Sequence, residues 1–166
     1  MNFTNIQNST PPNCNCLENA VALVDKEFAR HIYKPTMREQ DFYSHWDKYE
    51  NNNAFPSPND FDFTNCQKVC GLKGVSIHIW KEQSKETIIN EYLNNFRITG
   101  KAKNCILVFK LKTNAGVVSH SPTNARVPNP YHYDFYKTDD FSLDLVDSID
   151  IISLKDYLQE DEKDDR

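Results

Sequence analysis

The stretch NCILVFKLK, residues 104–112, places the tightest limit on the fold. In an extended chain Cys105, Leu107, Phe109 and Leu111 line one face, while Ile106 and Val108 hold the middle of the other. A strand that is apolar on both faces belongs inside a sheet covered on both sides. Upstream, residues 75–80 alternate again, with Val75, Ile77 and Ile79 on one side and Ser76, His78 and Trp80 on the other. Between these two segments runs a helical stripe of Ile88, Ile89, Tyr92, Leu93 and Phe96, which Ser84 can cap and Gly100 can stop. Strand, helix and strand over 75–112 predict one right-handed crossover.

The remaining segments are read in the same way. Leu17, Val21, Val24 and Phe28 recur at helical spacing, so a helix is expected ahead of a strand at 28–33 that Pro35 ends. Thr36 and Glu39 make a capping-box pattern for a helix to about residue 49, with Phe42, Trp46 and Tyr49 on one stripe. Loops are expected at 50–62 and at 113–130, and strands at 131–136 and 148–154. The whole predicts an α+β domain over residues 16–154: a single mixed sheet of about five strands with two or three packed helices. An Asn- and Pro-rich arm at 1–15, ordered only if it packs on something, precedes it, and an acidic tail at 155–166 follows.

Charge and composition exclude some partners. Residues 156–166 carry six acids against Lys163 and Arg166, which accounts for −4 of the net −5. The body is nearly neutral and has no basic run, so duplex nucleic acid is not an expected partner. No apolar stretch approaches the roughly eighteen residues of a membrane span, and no apolar segment follows a basic start, so neither membrane nor secretory signal is expected. Five cysteines, an odd number without a disulfide-scaffold rhythm, point to free thiols in a reducing cytoplasm. Cys14-x-Cys16 and Cys66-x3-Cys70 offer four thiolates, but neither spacing is the C-x2-C of strong zinc signatures. No metal and no cofactor are therefore expected.

Histidine is the side chain to follow, because it titrates near neutrality. His31, His45, His78, His120 and His132 are spread along the chain, and His78 stands out on the mixed face of a predicted central strand, beside Ser76. Ser76 and His78 point the same way, so they are not expected to meet as nucleophile and base, and no G-x-S-x-G elbow is present. G-L-K-G at 71–74 lacks the ending of a phosphate-binding loop. Arg30 is suited to hold a phosphate or carboxylate bidentately. Arg126 is a second basic candidate. In YHYDFY, Tyr131, Tyr133 and Phe135 alternate with His132, Asp134 and Tyr136, and one row should be core.

Phe28, Arg30, Pro35, Asp41-Phe42, Ser44-His45, Gly74, Ser76 and His132-Tyr133 together resemble a pattern seen in small uncharacterised bacterial proteins. The order of elements also resembles the ADP-ribosyltransferase-type fold, although no late catalytic glutamate and no Ser-Thr-Ser strand can be placed. That resemblance implies a nucleotide-like, phosphorylated ligand. In this reading His78, His132, His45 and Ser76 carry the chemistry, Arg30 binds the anionic part, and Trp80 or Tyr133 stacks on a base. The rival expectation is a non-catalytic interaction protein in a bacterial toxin, immunity or defence system. It would dock a partner through its aromatic rows or its acidic tail.

Overall fold

A computed structural model describes residues 1–52, 61–95, 104–124 and 127–157. Phe96, Gly100, Arg126, most of the loop expected at 50–62 and the tail beyond residue 157 lie outside these residues. The elements in chain order are α1 (Thr4–Gln7), β1 (Glu27–Ile32), α2 (His45–Asn52), α3 (Cys66–Lys73), β2 (Val75–Ile79), α4 (Lys85–Asn95), β3 (Cys105–Leu111), β4 (Gly116–His120), β5 (His132–Lys137) and β6 (Val146–Ser153). Among the described residues, no helix is long and apolar enough to cross a membrane.

The six strands form one sheet in the order β4-β5-β2-β1-β3-β6, and every neighbouring pair is antiparallel. The α+β class holds, with six strands where about five were expected and antiparallel pairing where a mixed sheet was. The strand–helix–strand unit is present in altered form. β2 and β3 both pair antiparallel with β1, so they run parallel to each other with β1 between them, and α4 makes the crossover. The additional strand is β4, in a segment whose three prolines favour a loop reading.

Both faces of the sheet are covered, as β3 requires. On one side Phe28, Ile32, Val75, Ile77, Leu107, Phe109 and Phe135 pack around Phe42. On the other, Ala29, Ile106 and Val108 lie under Ile88 and Tyr92 of α4, with Trp80 in the same cluster. Each such side chain contributes about 1.5–3 kcal/mol on burial, so the alternation in β1, β2 and β5 is tied to the core on both faces.

The expected helix near 17–28 does not form. Val21 instead bridges Val118 with reciprocal backbone hydrogen bonds of 2.9 and 2.8 Å. Val21 and Val24 are exposed, so the helical spacing had no buried face to serve. The expected helix from Thr36 also starts later. A single 3-10 turn at Glu39–Phe42 precedes α2, and Ser44 and Asp47 bond each other's backbone amides across the first turn of α2. Helix α3 was not foreseen at all.

Four of the five cysteines are paired, Cys14 with Cys66 and Cys16 with Cys70, which corrects the expectation of free thiols. The odd one, Cys105, is a buried side chain of β3. The two crosslinks close nearly the same loop, 52 and 54 residues apart in sequence, so the second removes much less chain entropy than the first. The arm therefore packs. Lys73, itself buried, donates through Nζ to the carbonyls of Asn5, Ile6 and Asn8 and lies 4.6 Å from the centre of the Trp46 ring. Asp139 accepts from the amides of Thr4 and Asn5, at 2.9 Å each.

Candidate functional site

Register brings the polar faces of β2 and β5 together. His78 lies opposite His132 and Ser76 opposite Asp134, so all four side chains share one face of the sheet. A cavity of about 460 Å³ opens there, and its lining includes Ser76, His78, His132 and Asp134 from these two strands. Arg30, His31 and Tyr33 enter from β1 and its end, Tyr43, His45 and Lys48 from α2 and the turn before it, and Glu91 and Tyr92 from α4.

Ser76 and His132 meet diagonally across the two strands. Ser76 Oγ stands 2.6 Å from His132 Nε2. The other ring nitrogen, Nδ1, lies 2.9 Å from the Ser121 carbonyl oxygen, which can only accept, so Nδ1 carries the proton. Nε2 is then the lone-pair nitrogen, and the Ser76 hydroxyl donates to it. Burial, and next the neighbouring His78, push the His132 pKa down to about 4, so the ring is neutral near pH 7. His132 is almost fully buried while Ser76 is exposed to the cavity. This is the geometry of an activated hydroxyl, with a backbone carbonyl orienting the base where a carboxylate often does.

A second chain of polar groups lies beside it. The rings of His78 and His132 stand 5.2 Å apart, edge to face. His78 Nδ1 is 2.8 Å from the Tyr92 hydroxyl. His78 Nε2 faces Glu91 Oε2 at 3.3 Å, within ion-pair distance, and makes no well-aligned hydrogen bond among the described residues. Buried ring nitrogens are rarely left so. Burial alone would raise the Glu91 carboxyl, but His78 and the Asn129 amide outweigh it and hold it below the usual range.

Asp134 is pushed the other way, up to about 6, because burial outweighs hydrogen bonds from Asn124 and Ser121. Room for its carboxyl comes from Gly74, where an added Cβ would meet Asp134 Cβ at 2.6 Å and Cγ at 2.9 Å. That contact explains the glycine two residues before Ser76. Gly74→Ala is expected to cost about 1–3 kcal/mol by overpacking and to displace Asp134, read as a lower melting temperature and a shifted Asp134 titration by NMR.

The opposite wall is cationic. Arg30 donates from Nε to the Asp41 carbonyl and from Nη1 to the Ser76 carbonyl, which fixes the guanidinium at the cavity edge. Partial burial and then Arg30 lower the Lys48 ammonium, against a weaker pull from Asp47. Burial, then Lys48 and Arg30, lower His45 likewise. His31 is pushed down to about 4 by burial, with its Nε2 2.9 Å from the Asn104 amide oxygen.

Of the residues singled out from sequence, Ser76, His45, His78, His132 and Arg30 line this one cavity. Trp80 and Tyr133 do not. Trp80 packs under α4, and Tyr133 lies on the other face of the sheet against Phe28 and His120. The aromatic walls are Tyr33, Tyr43 and Tyr92 instead. Sequence reasoning missed Glu91 and Lys48. Glu91 follows Ile88 by three residues and borders Tyr92, so its place at the rim of a buried stripe was a usable signal. No protein family, curated protein or solved structure matches this chain.

Proposed function

We propose that the cavity binds and processes a nucleotide-like, phosphorylated ligand. The observation that carries this reading is the Ser76–His132 pair set in a cavity whose facing wall holds Arg30, Lys48 and His45. After burial, Lys48 and Arg30 lower His45 and Arg30 lowers Lys48, and a phosphate placed among them would relieve that repulsion. Tyr33, with 57% of its surface exposed at the cavity rim, offers a face on which a base can stack.

In the reaction this geometry supports, Ser76 Oγ attacks phosphorus while its proton passes to His132 Nε2. The Ser–O–P bond forms as the bond to the leaving oxygen breaks. Asp134, which keeps its proton up to about pH 6, supplies one to that oxygen. His132 passes the proton it took to Asp134 by way of solvent, and water then attacks phosphorus, giving a proton to His132 that goes on to Ser76 Oγ as the Ser–O–P bond breaks. An ADP-ribosyl donor belongs to the same ligand class, and the resemblance in element order is a reason to include one in any panel.

Calorimetric titration with nucleoside mono- and diphosphates, ADP-ribose and NAD tests this. At least one is expected to bind with net proton uptake, because the bound phosphate raises Lys48 and His45 back toward their ordinary values. Lys48→Met should weaken that ligand by roughly 10–100-fold, the scale of a charge-assisted hydrogen bond. If none of the panel binds, or if the free nucleoside binds as well as its phosphate, the reading fails and the interaction-protein alternative takes its place.

A further inference from the structure

We propose that Cys14, Cys16, Cys66 and Cys70 form a zinc site when the two disulfides are reduced. Nothing in the cavity chemistry above requires it, and the sequence alone led to an expectation of no metal here. Two ligands come from a C-x-C in the arm and two from a C-x3-C one turn apart on one face of α3. The sulfurs of Cys14, Cys16 and Cys70 lie within 4.8 Å of one another. Across the two disulfides, the unbonded pairs Cys14–Cys70 and Cys66–Cys70 stand 3.6 and 3.9 Å apart. A tetrahedral zinc with Zn–S near 2.3 Å has sulfur–sulfur edges of about 3.8 Å. These two contacts already have the length of a tetrahedron edge; for a metal to enter, the bonded pairs have to part and Cys66, which lies outside the close group of three, has to approach Cys16.

Reduction would not scatter the four sulfurs, because other contacts also hold the arm. Lys73 binds the carbonyls of Asn5, Ile6 and Asn8, Asp139 binds the amides of Thr4 and Asn5, and Val21 bridges Val118. All four cysteine residues are partly exposed, and at the cluster itself Cys16 and Cys70 are buried while Cys14 is half-buried, so an ion would enter from the side of Cys14. The chemistry balances with a dithiol as reductant. Two dithiol molecules deliver four electrons and four protons, giving four thiols and two oxidised dithiols. Zn²⁺ then displaces the four thiol protons and forms four Zn–S bonds, leaving a site of net charge −2. In reducing surroundings zinc would clamp the arm to α3, and in oxidising surroundings the disulfides do so. Because α3 runs through Gly71 and Gly74 into the strand that carries Ser76, either clamp supports the cavity wall.

The full chain, reduced without oxygen by a phosphine and desalted, provides the test. It is expected to take up one zinc per chain by elemental analysis. Co²⁺ in its place should show the charge-transfer and intense visible absorption of a tetrahedral tetrathiolate. Cys105→Ser should change neither result. Cys70→Ser should lose more affinity than the roughly 10–100-fold that removing a group which merely orients a ligand costs. If the reduced chain unfolds, added zinc is expected to restore its circular dichroism. A reduced chain that stays folded yet takes up no zinc, an octahedral cobalt spectrum, or an unfolded chain that zinc does not rescue would each overturn the proposal.

Discussion

Ser76→Ala is expected to lower turnover of the best-bound phosphorylated nucleotide by about 10³-fold or more, with ligand affinity changed by no more than about twofold. General-base catalysis contributes roughly 10²–10⁴, and the nucleophile itself is lost as well. His132→Ala should cost a similar factor. The double variant should be little worse than either single one, because groups that act as a unit do not add. Ser76 is exposed and its hydroxyl is hydrogen-bonded, among the described residues, to the His132 imidazole alone, so its removal should leave the melting temperature within a few degrees. The pH profile gives an independent check. His132 must be neutral to accept the proton and Asp134 must be protonated to give one. Turnover should therefore rise through about pH 4 and fall through about pH 6. Full turnover by Ser76→Ala, or a profile without the acid limb near 4, would remove Ser76 and His132 from the reaction.

The parts of this architecture that were legible from sequence are those whose periodicity is enforced by burial on both sides. β3 is apolar from Cys105 to Phe109 because it is covered on both faces, and α4 carries a stripe because Ile88 and Tyr92 press onto the sheet. β4 was hidden because a five-residue edge strand beside three prolines has no periodicity to distinguish it from a loop. The helix expected near 17–28 failed for the opposite reason: it had a periodic pattern with no buried face behind it. The cavity was half legible. An alternating strand showed that Ser76 and His78 share a face, and from that it followed that they do not meet. Finding the partner of Ser76 required knowing that β5 lies beside β2 in the register that sets His132 opposite His78. No local spacing encodes that register. The same holds for the cysteines, since the proximity of residues 14 and 16 to 66 and 70 is a property of the folded arm.

Acid should unfold this protein well before carboxylate protonation alone would. His132 and His31 are both held near pKa 4 in the native state, against about 6.5 when exposed. Between pH 6.5 and 4 the unfolded chain therefore binds more protons than the native one, and acid favours unfolding. Their contribution is intact above about pH 6.5, erodes as the pH falls, and is gone below about 4. At about 1.4 kcal/mol per pKa unit, each buried imidazole accounts for roughly 3 kcal/mol. Asp134 works the other way. Its native pKa is about 6 against 3.8 unfolded, so the native state holds an extra proton in that window and gains as the pH falls through it. It offsets roughly 3 kcal/mol, and the net loss from pH 6.5 to 4 is on the order of 3–4 kcal/mol. Asp134→Asn separates the two contributions. It removes the cost of a buried carboxylate above pH 6, so the variant should be more stable than the parent at neutral pH. It also removes the offset, so its stability should fall more steeply on acidification. Urea unfolding of both proteins at pH 7, 5.5 and 4.5 measures this, and parallel stability curves for the two would show that Asp134 titrates as an ordinary surface carboxylate.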